Sequence, residues 1–321
     1  MAAPTPIDPM AGEPIANESF KALTLRRDPK NPRIARLTFN RPDRLNAISF
    51  DTPGEIRRAV EAANADNEVH VIVLQGAGAA FCAGYDITLF GEENLDHPCR
   101  QESMPWDPMA DYRTMRAYND DFMALWRSAK PTIARVHKYA IAGGSDIVLC
   151  CDQIIMEDTA RIGYMPTRVW GCPTTAHWVY RLGPERAKRM TLTGSLIDGT
   201  TAADWGLVSE AVAGEELDDA VDRLANNMAA IPSGMLQMQK MVVNEAIERM
   251  GLTASQTLST IFDGITRHNP EGMWFRRHSQ VHGFKDAVEW RDSGKPIPEG
   301  DAARELIAKL DAMLAEQKPA E

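Results

Sequence analysis

Two glycine-bearing turns constrain this chain more than any other feature in it. The first is Phe81-Cys82-Ala83-Gly84-Tyr85-Asp86-Ile87, and the second is Ala140-Ile141-Ala142-Gly143-Gly144-Ser145-Asp146-Ile147. Each follows an apolar run of strand length, over residues 69–74 and 132–136, and the second opens a helical run over about 145–151. A turn at a helix N-terminus presents backbone N–H groups with no intrahelical partner and the positive end of the helix dipole. Taken alone, each is an ordinary strand-to-helix turn, because glycine is common in turns. Brought together, the two aim two N–H donors at one oxygen, which is the arrangement of an oxyanion hole.

The rest of the chain supplies the scaffold for such turns. Ala35, Leu37 and Phe39 alternate with Arg36 and Thr38, which predicts a strand over 33–39. Ile56, Ala59, Val60 and Ala63 recur at helical spacing in a helix that starts near 49. Residues 91–111 hold three X-Pro pairs and read as a long surface loop, followed by a helix over 112–127. Residues 153–156 read as another strand. Strands alternating with helices imply β-α-β units with right-handed crossovers. From residue 213 the pattern becomes helical, beginning with Leu217, Ala220, Val221, Leu224, Ala225 and Met228 on one face. The predicted organisation is a disordered Pro- and Ala-rich arm over 1–20, an α/β core over 21–212 and a helical region over 213–321.

Charge and cysteine usage exclude several classes. The formal net charge of −10 over 321 residues argues against nucleic acid as a partner. No run reaches the length of a membrane span, and the first residues lack the basic start and apolar run of a secretory signal. Five cysteines, at 82, 99, 150, 151 and 172, show no CxxC spacing and read as reduced thiols of a cytoplasmic protein, with no metal site among them.

The motifs, in order, are Asn40-Arg41-Pro42, Leu45-Asn46-Ala47, Phe81-x-Ala83-Gly84-x-Asp86, Lys130-Pro131-Thr132-Ile133-Ala134, Gly143-Gly144-x-Asp146, Cys151-Asp152 and Leu192-Thr193-Gly194. This series resembles the enoyl-CoA hydratase/isomerase (crotonase) family over about residues 33 to 290. The resemblance implies an α/β fold, a crotonase-like spiral of ββα units with a helical C-terminal trimerisation region, assembled as a homotrimer or dimer of trimers. It implies an acyl-CoA thioester substrate, with coenzyme A as part of the substrate and no separate cofactor. The implied oxyanion donors are the N–H groups of Tyr85 and Gly143. The adenine end of coenzyme A is implied to lie against Leu45, Ala47, Cys82 and Ala83, with Arg276 and Arg277 as phosphate contacts, such contacts coming in part from a neighbouring subunit.

The acid/base groups are where this sequence departs from the pattern. Family hydratases resemble one another in using two glutamates. Asp146 stands at the first place and is the expected main acid/base, as in some family isomerases. The loop expected to carry the second, residues 162–171, offers Thr167 in one register and Pro166 in the other, and no Asp or Glu occurs between Asp158 and Glu185. The Thr167 hydroxyl is far too weak an acid to substitute directly; Tyr164, His137 and His177 are the candidates to compensate, histidine being well matched to proton transfer near neutral pH. Met165, Trp170 and Trp178 are expected to shape an acyl pocket or the core. Three readings stay open. One is an acyl-CoA hydratase or isomerase acting through Asp146. Another is a family C–C bond or β-keto hydrolase using His and Asp. The third is a CoA-binding homologue without turnover.

Overall fold

The computed structural model describes residues 6–15, 19–86, 88–89 and 106–317. The chain enters through β1 (Leu23–Arg27) and β2 (Ile34–Phe39), which pair antiparallel, and then alternates α1 (Thr52–Ala65), β3 (Val71–Gly76), α2 (Pro108–Arg127), β4 (Thr132–Val136), β5 (Tyr139–Ile141), α3 (Gly143–Leu149) and β6 (Gln153–Glu157). There follow β7 (Arg161–Gly163), α4 (His177–Thr193), β8 (Ile197–Asp198), α5 (Gly199–Asp204) and β9 (Glu210–Val212). The remainder is helical: α6 (Leu217–Ala229), α7 (Ser233–Arg249), α8 (Leu252–His268), α9 (Pro270–His282), α10 (Phe284–Asp292) and α11 (Gly300–Gln317).

Six strands form one sheet in the order β1-β2-β3-β4-β6-β9, parallel from β2 onward, and β5-β7-β8 form a second, smaller sheet. Side chains alternate across a strand, and the large sheet buries both faces. Ala35, Leu37, Phe39, Ile72 and Leu74 enter the main core with α1 and α2. Ile34, Val71, Val73, Ile133 and Ile155 enter a second cluster beneath Leu217, Ala220, Val221 and Ala225 of α6. Burial on both faces explains why β3 reads as a continuous apolar run rather than an alternating one. A third cluster, built from Trp274, Phe275, Phe284, Ala287, Ala303 and Leu310, knits α9, α10 and α11 to Val169 and Trp170.

Three expectations change. β1 was not foreseen, because five residues with Leu23 and Leu25 as the only buried apolar pair give too short a pattern. The disorder expected over 1–20 does not hold for residues 9–15. There the Arg27 N–H donates to the Glu13 carbonyl (2.8 Å) and the Thr24 hydroxyl to that of Pro9 (2.8 Å). An edge strand offers unpaired backbone groups, and the arm takes them; residues 1–5 and 16–18 lie outside the described residues. Of the loop expected over 91–111, residues 91–105 also lie outside them, and from Pro108 the chain is already helical. Among the described residues no helix is long and apolar enough to cross a membrane.

Several motif residues turn out to be fasteners. Asp152 accepts from the N–H (2.7 Å) and hydroxyl (3.0 Å) of Thr132 and pairs with Lys240 of α7 at 2.8 Å. Lys130 is buried, with its ammonium donating to the carbonyls of Ala63 (2.7 Å) and Asp66 at the C-terminal end of α1. A cation there satisfies orphan carbonyls and the helix dipole together. Lys130→Met should therefore leave the buried Ala63 carbonyl without its donor and lower unfolding free energy by about 1–3 kcal/mol, read as a drop in the urea midpoint.

Candidate active site

The first turn is held by its own neighbours. Asn46 donates its amide to the carbonyls of Ala77 and Ala80 (both 2.8 Å) and accepts from the Arg41 N–H (2.9 Å). Arg41 in turn reaches the Ala47 carbonyl (2.6 Å) and the Asp86 carboxylate (2.8 Å). Ile48 bridges the backbone on either side of Tyr85, donating to the Gly84 carbonyl and accepting from the Asp86 N–H (both 2.9 Å). Neither bond uses the Tyr85 N–H.

The second turn is stapled to the first through Cys82. Its N–H donates to the Tyr139 carbonyl (2.9 Å), and its carbonyl accepts from the Ile141 N–H (3.2 Å). Close approach then depends on missing side chains. A Cβ on Gly144 would stand 2.6 Å from the Cys82 carbonyl oxygen, and one on Gly84, whose φ is +91°, would stand 2.8 Å from the Ala142 Cβ and 3.6 Å from the Gly143 nitrogen. Ala142 precedes α3 at φ 51°, a sparsely populated conformation for a residue with a Cβ. As the first helical residue, Gly143 has no intrahelical acceptor for its N–H.

Both turns open on one cavity of about 280 Å³. Ala83, Tyr85, Ala142 and Gly143 line it on the turn side, Met115, Met165, Trp170 and Phe284 give it an apolar wall, and Asp146 and Asp263 face it. Asp146 is 2% exposed and accepts from the Thr175 hydroxyl at 2.8 Å. Burial pushes its carboxyl up to about 8, with Asp263 adding to the rise and Thr175 opposing it. At neutral pH Asp146 is therefore a carboxylic acid able to deliver a proton.

The family model for enoyl-CoA hydratase/isomerase matches residues 30–277. A probable mitochondrial enoyl-CoA hydratase of Dictyostelium discoideum is 30% identical over 279 residues, covering 85% of this chain and 91% of that protein. A solved enoyl-CoA hydratase from Mycobacterium smegmatis superposes with a TM-score of 0.80 at 43% identity, covering 86% of this chain and 94% of that one. The 1,2-epoxyphenylacetyl-CoA isomerase of Escherichia coli K12 is 28% identical over 66% of this chain and 79% of its own length. The chain belongs to the enoyl-CoA hydratase/isomerase family.

Against that family pattern, the residues named from the sequence divide into two groups. Tyr85, Gly143, Asp146 and Ala83 come together at the cavity, and Leu45 is joined to Ala83 by a 3.1 Å backbone hydrogen bond. Ala47 and Cys82 lie in the same fastened loops, with the Cys82 thiol fully buried and pushed up to about 12 by that burial. Thr167 and, of the compensating candidates, His137 and His177 do not line the cavity. The Thr167 hydroxyl donates to the Thr191 carbonyl, so it turns toward the end of α4, and its neighbours Met165 and Pro166 face the cavity instead. His137 contacts the Gly78 carbonyl (3.0 Å) and Arg135 (3.2 Å). His177 packs 4.8 Å from the Trp126 ring and is pushed down to about 3 by burial, so it stays neutral in the core. Tyr164 lines the cavity, but its hydroxyl donates to the Cys172 carbonyl (2.9 Å) and burial holds its pKa well above the ordinary value. Trp178 belongs to the core.

The two arginines separate as well. Arg276 is buried and lines the cavity of its own chain, while Arg277 is tied to Asp311 at 2.6 Å across to α11. The sequence reading missed Asp263, Arg267 and Arg291, which reach the cavity from α8 and α10. Their one signal was charge on helical segments, which a solvated face explains equally well.

Asp146 carries a stability cost that identifies it. Its folded pKa, about 8, lies above the ordinary 3.8, so the penalty is absent below pH 4, grows as pH rises and levels off above pH 8. Asp146→Asn keeps an acceptor for Thr175 and removes the ionisable group. By pH 8 it should be more stable than the unmutated protein by about 2–5 kcal/mol, with little difference near pH 4, as read by thermal melts across that range.

Proposed function

We propose that this protein is an acyl-CoA hydratase/isomerase. It holds the thioester oxygen on the N–H groups of Tyr85 and Gly143 as enolate charge develops and moves the α-proton with Asp146. One observation carries the reading: Asp146, the carboxyl group of the second turn, faces the same cavity as both turns. Preorganised N–H donors act where negative charge appears in the transition state. The protonated Asp146 supplies the acid for Cα, and in its ionised form the base for the reverse step. The chemistry is acid–base chemistry on a thioester, so coenzyme A is part of the substrate and no other cofactor is invoked. Leu45, Ala47, Cys82 and Ala83 provide the surface for its adenine end. Buried free thiols at Cys82, Cys150 and Cys151 support a reducing compartment, the cytoplasm. Because neither His137 nor His177 faces the cavity, the histidine-based hydrolase reading loses its support.

The reading is tested with enoyl-CoA substrates. The unmutated protein should hydrate crotonyl-CoA or shift the double bond of a 3-enoyl-CoA, and Asp146→Asn should lower either rate about 10²- to 10⁴-fold while still binding acetoacetyl-CoA in calorimetry. An unmutated protein that shows no saturable acyl-CoA binding overturns it.

A homotrimer or dimer of trimers goes with this reading. No residue of α7 is buried, and Met238, Met241, Val242 and Val243 on α7 and Leu258, Ile261 and Phe262 on α8 are exposed. Apolar surface of that extent marks an interface. Light scattering should give a trimer or hexamer for the unmutated protein and a smaller species for the double variant Val242→Asp, Phe262→Asp.

A further inference from the structure

We propose that Asp263, carried on α8, is the second catalytic carboxylate of hydration, taking the place that the loop over 162–171 leaves without an acid. The inference rests on the acyl-CoA reading above and names the group that activates water in it.

The geometry supports the assignment from both ends. Asp263 is 4% exposed and faces the same cavity as Asp146. Its Oδ1 accepts from the Cys172 N–H (3.0 Å), which anchors it to the chain just beyond Gly171, where the acid-free loop ends. Its Oδ2 accepts from Nη1 of Arg267 (2.7 Å), and Nη2 of the same guanidinium lies against both oxygens of Asp111 (2.6 and 2.8 Å), itself 1% exposed. A purely structural role would need only an ion pair, and Arg267 already has a full carboxylate partner in Asp111. A second buried carboxylate on that guanidinium carries a large desolvation cost, and perturbed carboxyls in a cleft mark functional sites.

The two aspartates then divide the work. The ionised Asp263 takes one proton from water as the water oxygen bonds to Cβ. The π electrons of the C=C bond move through Cα to the thioester oxygen, held by the Tyr85 and Gly143 N–H groups. The resulting enolate collapses and takes the carboxyl proton of Asp146 at Cα. Water has added across the double bond, and the proton now on Asp263 returns to Asp146 through solvent. Burial raises both carboxyls, and of the two only Asp263 has a cation, Arg267, opposing the rise. The charged and titratable groups facing Asp263 are Arg267, Asp111, Asp146, Tyr164 and Cys172, and Arg276 and Arg291 line the same cavity.

The test separates water activation from enolate chemistry. Exchange of the α-protons of butyryl-CoA in deuterated buffer above pH 8 needs only Asp146 and the oxyanion donors, whereas crotonyl-CoA hydration needs both aspartates. Asp263→Asn should lower hydration about 10²- to 10⁴-fold and leave exchange within about tenfold, and Asp263→Glu should recover part of the hydration. Arg267→Met removes the cation that favours the ionised form, so it should move the acid limb of the hydration pH profile upward. Hydration by Asp263→Asn within about tenfold of the unmutated rate, or an acid limb unmoved in Arg267→Met, overturns the assignment. Exchange without hydration in the unmutated protein overturns it too, but leaves the acyl-CoA reading standing. Absence of both reactions removes that reading itself.

Discussion

The backbone of Cys82 joins the halves of this structure. Bonded to β5 through both its N–H and its carbonyl, it sets the first turn against the second. The absent Cβ of Gly144 lets that carbonyl lie where a side chain would stand. Most of the α/β core positions these few atoms: β3 delivers the chain to the first turn, β4 and β5 deliver it to the second, and Asn46 and Arg41 fasten the first turn and the stretch leading into it. Two N–H groups can stabilise an oxyanion only if their spacing is set before the charge arrives. Backbone hydrogen bonds in a buried sheet hold such a spacing more firmly than flexible side chains do.

The second constraint is electrostatic. Asp146 and Asp263 are nearly inaccessible to solvent at one cavity, and Arg267 ties Asp263 to the equally buried Asp111. A fold optimised for stability alone would not keep so many carboxyls from water. Here the cost is concentrated at the cavity on which both turns open, and the closure that imposes it comes from the C-terminal helices. α8 supplies Asp263 and Arg267, and α9 and α10 supply Arg276, Phe284 and Arg291. The helical region thus completes the site as well as presenting the exposed apolar face of α7.

Much of this was legible in the chain before folding was considered. Apolar runs of strand length, glycine at the turns and the helical spacing after residue 213 correspond to elements that are present. The motif residues Arg41, Asn46, Lys130, Asp152 and Gly144 have local structural tasks that their types suit. What failed was inference about side-chain direction. His137, His177 and Thr167 stand beside site residues in sequence and were natural candidates, yet each turns toward a backbone carbonyl or a core side chain. One residue along an irregular loop reverses the direction of a side chain, and nothing in local composition records it.

The sequence by itself determined the family, the α/β class, the two turns and the place of Asp146, because each depends on short-range geometry: glycine conformations, strand period and a helix N-terminus. Only the tertiary structure decided which other charges meet Asp146. Asp263 is separated from it by more than a hundred residues, and it reaches the cavity because α8 packs across the loop beyond β7. That contact is set by the packing of whole helices, so no local pattern could announce it.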